Sequence, residues 1–258
     1  MSVRTLFLVT LLLCLSGLSA AAPGQADPIH GARGIVYGEY QLRVASDPAP
    51  AAPNAPVRLD LTLADPNGAT VTDLDPADVP ELAIVRQGLD VFTLMRPSMG
   101  AEGVFTMNLT FPVPGTYFVY LGLTPLGCRA VTAMAELQIA GDVPAPLPLE
   151  VHVPGRVASD TLGADIAVLK TPTGHRIDLG LIQPDGSPLA DVDIASGDLV
   201  VLSADGKEYF HARPVPAENA TTAAFEAAFP RPGLYKAWAQ FQGAGKALEL
   251  PFALQITD

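Results

Sequence analysis

The side chains best suited to carry chemistry in this sequence are four scattered histidines. No nucleophile elbow, zinc-binding helix motif, phosphate-binding loop or pair of cysteines accompanies them. We therefore expect no enzymatic activity and consider the histidines as possible ligands of a metal ion. They stand at positions His30, His152, His175 and His211.

His211 has the most informative surroundings, because Asp198 precedes a short apolar run that lies shortly before it in the chain. Imidazole nitrogen and carboxylate oxygen both ligate zinc and copper. One hypothesis is therefore a copper or zinc site built on His211 and Asp198. Met95 and Met99 are further candidates, since thioethers suit Cu(I), although methionines more often fill apolar cores.

An internal repeat organises the chain. Two of its segments recur at an offset of 118 residues (176 minus 58, and 229 minus 111), and a third recurs at 117 (199 minus 82). Three matches in register indicate two copies of one structural unit. The matching segments are Arg58–Gly68 with Arg176–Gly186, Leu82–Val85 with Leu199–Leu202, and Phe111–Tyr117 with Phe229–Tyr235.

Each copy has the pattern of β-strands. Residues 58–63 alternate between apolar and polar side chains, which is the period of a strand with one buried face. The segments at 65–68 and 183–186 contain Pro and Gly at turn positions. Tyr117 and Tyr235 each begin a strand after a Pro-Gly turn, like the tyrosine corner of immunoglobulin-type sandwiches. We predict an all-β protein of two tandem immunoglobulin-like β-sandwich domains.

Composition and the N-terminus predict the compartment and the limits of the domains. Residues 1–22 have the short basic start, apolar run and small-residue end of a secretory signal peptide. We expect a flexible leader at 23–34, a first domain at 35–141, a Pro-rich linker at 142–157 and a second domain at 158–258. No later stretch is long and apolar enough to cross a bilayer. The protein is thus expected in the periplasm or outside the cell.

The net charge bears on whether the protein binds nucleic acid, and the cysteine content bears on whether it forms an internal disulfide. The formal net charge of −12 disfavours binding to nucleic acid, whose phosphates carry the same sign. Cys128 is the one cysteine outside the signal peptide, so it has no partner for an internal disulfide. It is expected as an exposed thiol, as a bridge to another chain or as a packed, inert side chain.

The framework resembles secreted bacterial proteins with tandem YtkA-like domains of immunoglobulin type, which are associated with copper and heavy metals. The resemblance covers roughly residues 37–258 and rests on the two Phe-Pro-x-Pro-Gly-x-Tyr segments, on Tyr209–Pro214 and on Tyr235–Phe241. It implies histidines before the apolar strand and in a later His-x-His-Pro strand. These positions hold Glu81, Leu94 and Arg96 in the first copy, and Asp198, His211 and Arg213 in the second.

The residues at those positions favour ion pairs over a metal site. Arginine stays protonated and leucine has no ligand atom. We predict cross-strand pairs within each sheet, Glu81 with Arg96 and Asp198 with Arg213. The expected function is that of an exported, non-catalytic binding protein of metal-handling descent, acting on an unknown protein partner. Two alternatives stay open: a periplasmic copper or zinc carrier using His211 and its neighbours, and an accessory domain pair of a cell-envelope complex.

Overall fold

A computed structural model describes residues 32–34, 40–189, 191–217, 219–243 and 245–257. The predicted signal peptide and residues 23–31 of the predicted leader lie outside the described residues. The described chain consists of β-strands, loops and a single-turn 3-10 helix at Ala101–Gly103. Within those ranges, no helix has the length and apolar character that a membrane crossing requires.

The first domain is a sandwich of two antiparallel sheets. One sheet has the order β2-β3-β6 and the other has the order β5-β4-β7-β8. The strands are β2 (Gln41–Asp47), β3 (Pro56–Ala64), β4 (Glu81–Arg86), β5 (Phe92–Met95), β6 (Val104–Thr110), β7 (Gly115–Leu123) and β8 (Val131–Ile139).

The second domain repeats this plan. Its sheets have the orders β14-β11-β10-β9 and β1-β13-β12-β15-β16, where β1 (Ala32–Gly34) precedes the first domain in the chain. The other strands are β9 (Gly155–Ala158), β10 (Gly163–Thr171), β11 (Gly174–Ile182), β12 (Val192–Ser203), β13 (Tyr209–Ala212), β14 (Thr222–Ala227), β15 (Gly233–Gly243) and β16 (Lys246–Ile256). β1 falls within the segment predicted as leader, and β9 begins within the segment predicted as linker.

Alternating side chains give each sandwich its own core. Leu59, Leu61 and Leu63 of β3 are fully buried, while the residues between them face outwards. In the second copy β11 buries Ile177 and the leucines that follow at every second position. The two cores share no residue. Since burial of one such side chain contributes about 1.5–3 kcal/mol, each repeat carries the apolar core of an independent domain.

Both predicted tyrosine corners are present. The Tyr117 hydroxyl donates to the carbonyl oxygen of Val113 at 2.7 Å, and the Tyr235 hydroxyl donates to that of Arg231 at 2.8 Å. In each case the acceptor lies four residues earlier, within the Pro-Gly turn. Together with the sheet orders, these bonds identify tandem immunoglobulin-like sandwiches, as the sequence predicts.

Candidate functional site at the seam between the domains

A third apolar cluster joins the two domains, and we call this interface the seam. It arises because β4, and β12 from Gly197 onwards, are buried on both faces. Leu82 and Leu199 point into their own domain cores, whereas the next residues, Ala83 and Val200, point into the seam. The buried seam residues are Ala83, Val85, Leu89, Phe118, Tyr120, Val200, Leu202, Tyr209 and Trp238.

Two aromatic stacks cross the seam. Phe92 of β5 stacks on Trp238 of β15 with ring centroids 4.6 Å apart and planes 13° apart. Tyr120 of β7 stacks on Tyr209 of β13 at 4.3 Å and 11°. Offset stacks of this kind contribute about 0.5–1.5 kcal/mol each beyond the area that they bury. The domains are therefore held face to face by packed side chains as well as by the linker.

A cluster of charged side chains lies at the edge of this apolar patch. Arg96 Nη2 lies 2.6 Å from an oxygen of Asp198 in the other domain. In the reciprocal ion pair, Arg213 of the second domain donates to Glu81 of the first domain. The Nε of Arg213 also lies 3.3 Å from an oxygen of Asp198. The two carboxylates are buried, while the two arginine side chains remain about 40% exposed, at 43% and 39%.

His211 lies between the two carboxylates. Its Nδ1 is 2.7 Å from Glu81, and its Nε2 is 2.9 Å from Asp198. A carboxylate only accepts hydrogen bonds, so both ring nitrogens donate when the ring is an imidazolium. Burial lowers the pKa of His211, but the hydrogen bonds that the ring donates to Asp198 and Glu81, together with the charges of these carboxylates, outweigh burial and raise this pKa above its usual value of 6.5.

The same contacts act in the opposite direction on Asp198. Burial raises the pKa of its carboxyl, while the hydrogen bond from His211 and the charges of His211, Arg213 and Arg96 lower it. The balance holds this pKa below its ordinary value of 3.8. Asp198 is therefore an anion at neutral pH, and in the described structure the carboxyl groups of Glu81 and Asp198 lie among the side chains of His211, Arg96 and Arg213.

The pairing differs from the pattern predicted within each sheet. Asp198 does contact Arg213 of its own sheet, as expected. Arg96, however, contacts Asp198, and Glu81 receives Arg213, so these pairs join the two domains. The physical reason is that the two sheets pack face to face, which brings the opposite charge of the other domain within reach of each guanidinium.

The seam also gathers three donor atoms of the types that bind metals. One atom each of Glu81, Asp198 and His211 lies within 4.8 Å of the others. Both carboxylates already accept hydrogen bonds from guanidinium groups, and both imidazole nitrogens face a carboxylate. A cation would have to displace a proton and compete with two fixed positive charges, so this arrangement fits an ion-pair cluster rather than a metal centre.

The other predicted ligands lie elsewhere. Met95 and Met99 are partly buried and pack against the core of the first domain. Leu94 packs at the seam, on the strand that corresponds to that of His211. Cys128 is a free, exposed thiol in the turn between β7 and β8. Among the described His, Cys, Asp and Glu residues, the donors that lie together are those of Glu81, Asp198 and His211, and Cys128 is not one of them.

The sequence does not single out the aromatic residues of the seam. The strand pattern of the sequence predicts that Trp238 and Tyr235 both lie in a domain core. Tyr235 does pack in the core of its own domain, whereas Trp238 packs in the seam. A usable signal was the unbroken apolar run at 82–85 and again at 199–202. Such runs indicate strands covered on both faces, and the second cover is the other domain.

Comparison with known proteins adds little about function. A family model described as a domain of unknown function (DUF8832) matches residues 168–258. No curated protein matches the chain. Similar solved structures include bacterial adhesion proteins, with low identity and low structural overlap.

A tetra-tandem repeat from the extending region of a large adhesion protein is 14% identical, with 87% of this chain and 50% of that chain covered and a TM-score of 0.30. The Escherichia coli adhesin FdeC is 15% identical, with coverages of 86% and 65% and a TM-score of 0.29. Invasin, described as a bacterial integrin-binding protein, is 16% identical, with coverages of 82% and 39% and a TM-score of 0.23. This chain thus spans about half of the first of these structures and less than two thirds of the other two. The fold assignment rests on the sheet topology and not on these scores.

Proposed function

We propose that this chain is an exported, non-catalytic binding protein whose two domains form one rigid unit for contact with a protein partner. The sequence supports export, through the predicted signal peptide at residues 1–22. The structure supports rigidity, through the apolar seam, two aromatic stacks and the ion pairs that cross it. Interdomain contacts of this kind oppose the relative motion expected of two domains joined by a linker alone.

One observation favours the proposed function over that of a metal carrier. The carboxylates of Glu81 and Asp198 are bonded to Arg213 and Arg96, and His211 is held between them. The donors that a carrier would use are thus engaged in joining the domains. We also propose descent from YtkA-like proteins, on the framework motifs at 209–214 and 235–241. In this view ion pairs stand where the family has metal-binding histidines.

Calorimetric titration of the whole chain with Zn(II), Cu(II) and Cu(I) tests the proposal. We expect no stoichiometric binding at submicromolar affinity, and the same result for a His211→Ala variant. Stoichiometric, tight binding that His211→Ala abolishes would establish the carrier function instead. Binding that persists in His211→Ala would have to come from another site, and a Met95→Leu, Met99→Leu variant identifies it if Cu(I) is the ion.

The partner is sought by cross-linking the intact chain in an envelope extract of its own host. The rigid-unit proposal predicts that a partner captured by the wild type is lost or weakened when Val200→Glu opens the seam. A partner retained at equal yield by Val200→Glu would show that a single domain suffices. That result would remove the rigid unit from the proposed function.

A further inference from the structure

The polar contacts of the seam occur as two equivalent halves. Glu81 corresponds to Asp198 in the repeat, and Arg96 corresponds to Arg213 (198 minus 81 and 213 minus 96 are both 117). Exchanging the two domains therefore turns the Arg96–Asp198 pair into the Arg213–Glu81 pair. Both pairs are present.

The aromatic contacts obey the same exchange. Phe92 corresponds to Tyr209 (209 minus 92 is 117), and Tyr120 corresponds to Trp238 (238 minus 120 is 118). The Phe92–Trp238 stack thus becomes the Tyr209–Tyr120 stack when the domains are interchanged. Both are parallel stacks with centroids 4.3–4.6 Å apart.

Backbone register shows that the correspondence is structural as well as sequential. In the first domain Ala83 pairs with Leu94 on one side and with Tyr120 on the other. In the second domain the corresponding Val200 pairs with His211 and with Trp238. The same strand pairings therefore present the same positions to the seam from both sides.

This arrangement is that of an isologous interface, in which one surface patch contacts a copy of itself across a two-fold axis. We infer that each repeat carries a self-complementary docking face whose natural partner is a second copy of the same domain. In the closed chain the two copies are covalently joined, and the linker raises their effective concentration without supplying the recognition. The inference does not depend on the proposed function.

Within the charged cluster, His211 is the position where the two halves differ in kind, since its counterpart is Leu94. Elsewhere in the seam, Phe118 corresponds to Lys236 (236 minus 118 is 118). The imidazolium of His211 alone donates to both carboxylates, those of Glu81 and Asp198. The two ion pairs and the two aromatic stacks obey the exchange although this position does not.

A blocked face tests whether a second copy of the chain can dock. Val85→Glu places a carboxylate in the seam on the side of the first domain, while the side chain of Val85 lies outside that domain's own core. The face of the second domain is then left open. We expect the whole chain, a 26.9 kDa monomer in the closed form, to double its mass in analytical ultracentrifugation.

Two further variants complete this experiment. Adding Val200→Glu blocks the second face too, and we expect the double variant to return to the monomer. Leu126→Glu is the matched control, since Leu126 is 60% exposed and away from the seam, and it should remain monomeric. Circular dichroism confirms that the strands persist in each variant. A Val85→Glu chain that stays monomeric at about 1 mM, the effective concentration that a short linker supplies, would overturn the inference.

A cut linker tests the same inference without altering the seam. A protease site inserted at Ala145, which is exposed, allows the chain to be cleaved after folding. The cleaved protein begins at Tyr40, because β1 pairs with β13 of the second domain and would by itself hold the halves together. We expect the two halves to co-elute in size-exclusion chromatography. Halves that separate even at about 1 mM would show that the linker is needed for docking and would overturn the proposal.

Discussion

Phe92 and Trp238 stack at 4.6 Å although they belong to different domains. Trp238 is the chain's one tryptophan, so its fluorescence reports on the seam alone. We predict that Phe92→Ala shifts the emission of the folded protein to longer wavelength, because the indole gains contact with water. The variant should also lower the free energy of unfolding by about 2 kcal/mol, from the lost area and the lost stack.

The control for this variant is Leu126→Ala. Leu126 is 60% exposed and lies in the first domain, outside the seam. Its substitution should leave emission and stability within about 0.5 kcal/mol of the wild type. An unshifted emission maximum in Phe92→Ala would contradict the packing of the two domains described above.

The protonation of His211 makes stability depend on pH. Its pKa is raised in the folded protein, so its contribution is fully present below the unfolded value of about 6.5. That contribution is lost as the pH rises from there through the folded pKa. Each unit by which the pKa is raised corresponds to about 1.4 kcal/mol.

Urea unfolding between pH 6 and pH 9 measures this dependence. We expect wild-type stability to fall across this range and a His211→Gln variant to show a flatter profile, since glutamine bonds to both carboxylates without titrating. The charged groups that face His211 in the described structure are Glu81, Asp198, Arg96 and Arg213, and all are retained in the variant. Parallel profiles for the two proteins would show that His211 is not the titrating group.

Asp198 should be far more important for stability than an exposed aspartate with similar bonds. Asp198→Ala removes the buried anion that His211, Arg96 and Arg213 share, so that Glu81 is the one carboxylate left to the described cluster, and we expect a loss of about 3 kcal/mol. Asp165→Ala breaks a two-bond pair with Arg156 on the surface and should cost less than about 1 kcal/mol.

Both variants are measured by chemical denaturation at pH 7. Because the Asp198 pKa is lowered by folding, its contribution is present above about pH 3.8 and is lost as the pH falls through the folded value. The difference between the two variants should therefore shrink in acid. Equal losses at pH 7 would mean that the seam cluster contributes no more than a surface pair.

The sequence is sufficient to predict the strands, the turns and the division into two sandwiches, because these depend on local patterns. The alternation at 58–63 and the two Pro-Gly-x-Tyr corners each contain their own signal. The relative placement of the domains has no such signal. It depends on which strand faces meet, and the sequence alone leaves Arg96 a choice between Glu81 of its own domain and Asp198 of the other.

The seam could have been anticipated from one conflict in the pattern. A strand on the surface of a sandwich should alternate, yet residues 82–85 and 199–202 are apolar throughout. This excess of apolar residues predicts a second cover for each strand. The apolar pattern alone does not say what covers the second face of each strand. The correspondence of Glu81 with Asp198 and of Arg96 with Arg213 in the repeat would have suggested that it is the other domain.

Gly206 lies where the turn of the second domain meets the first domain. Its carbonyl oxygen accepts a hydrogen bond from the Tyr120 hydroxyl at 2.9 Å, and its φ is +71°. A Cβ atom at this position would lie 2.4 Å from the ring of Phe118. Gly206→Ala should therefore strain both the turn and the seam.

A matching substitution at Gly127 separates the free-energy cost of the positive φ from the cost of the clash with Phe118. This glycine has nearly the same backbone conformation, with φ +72°, but a Cβ atom there would meet nothing within 4 Å. We predict that Gly127→Ala costs about 1 kcal/mol from the positive φ alone. Gly206→Ala should cost about 2 kcal/mol more, because Phe118 must move across the interface, and it should also shift the Trp238 emission. Equal costs, with no change in emission, would place the turn at Gly206 away from the first domain.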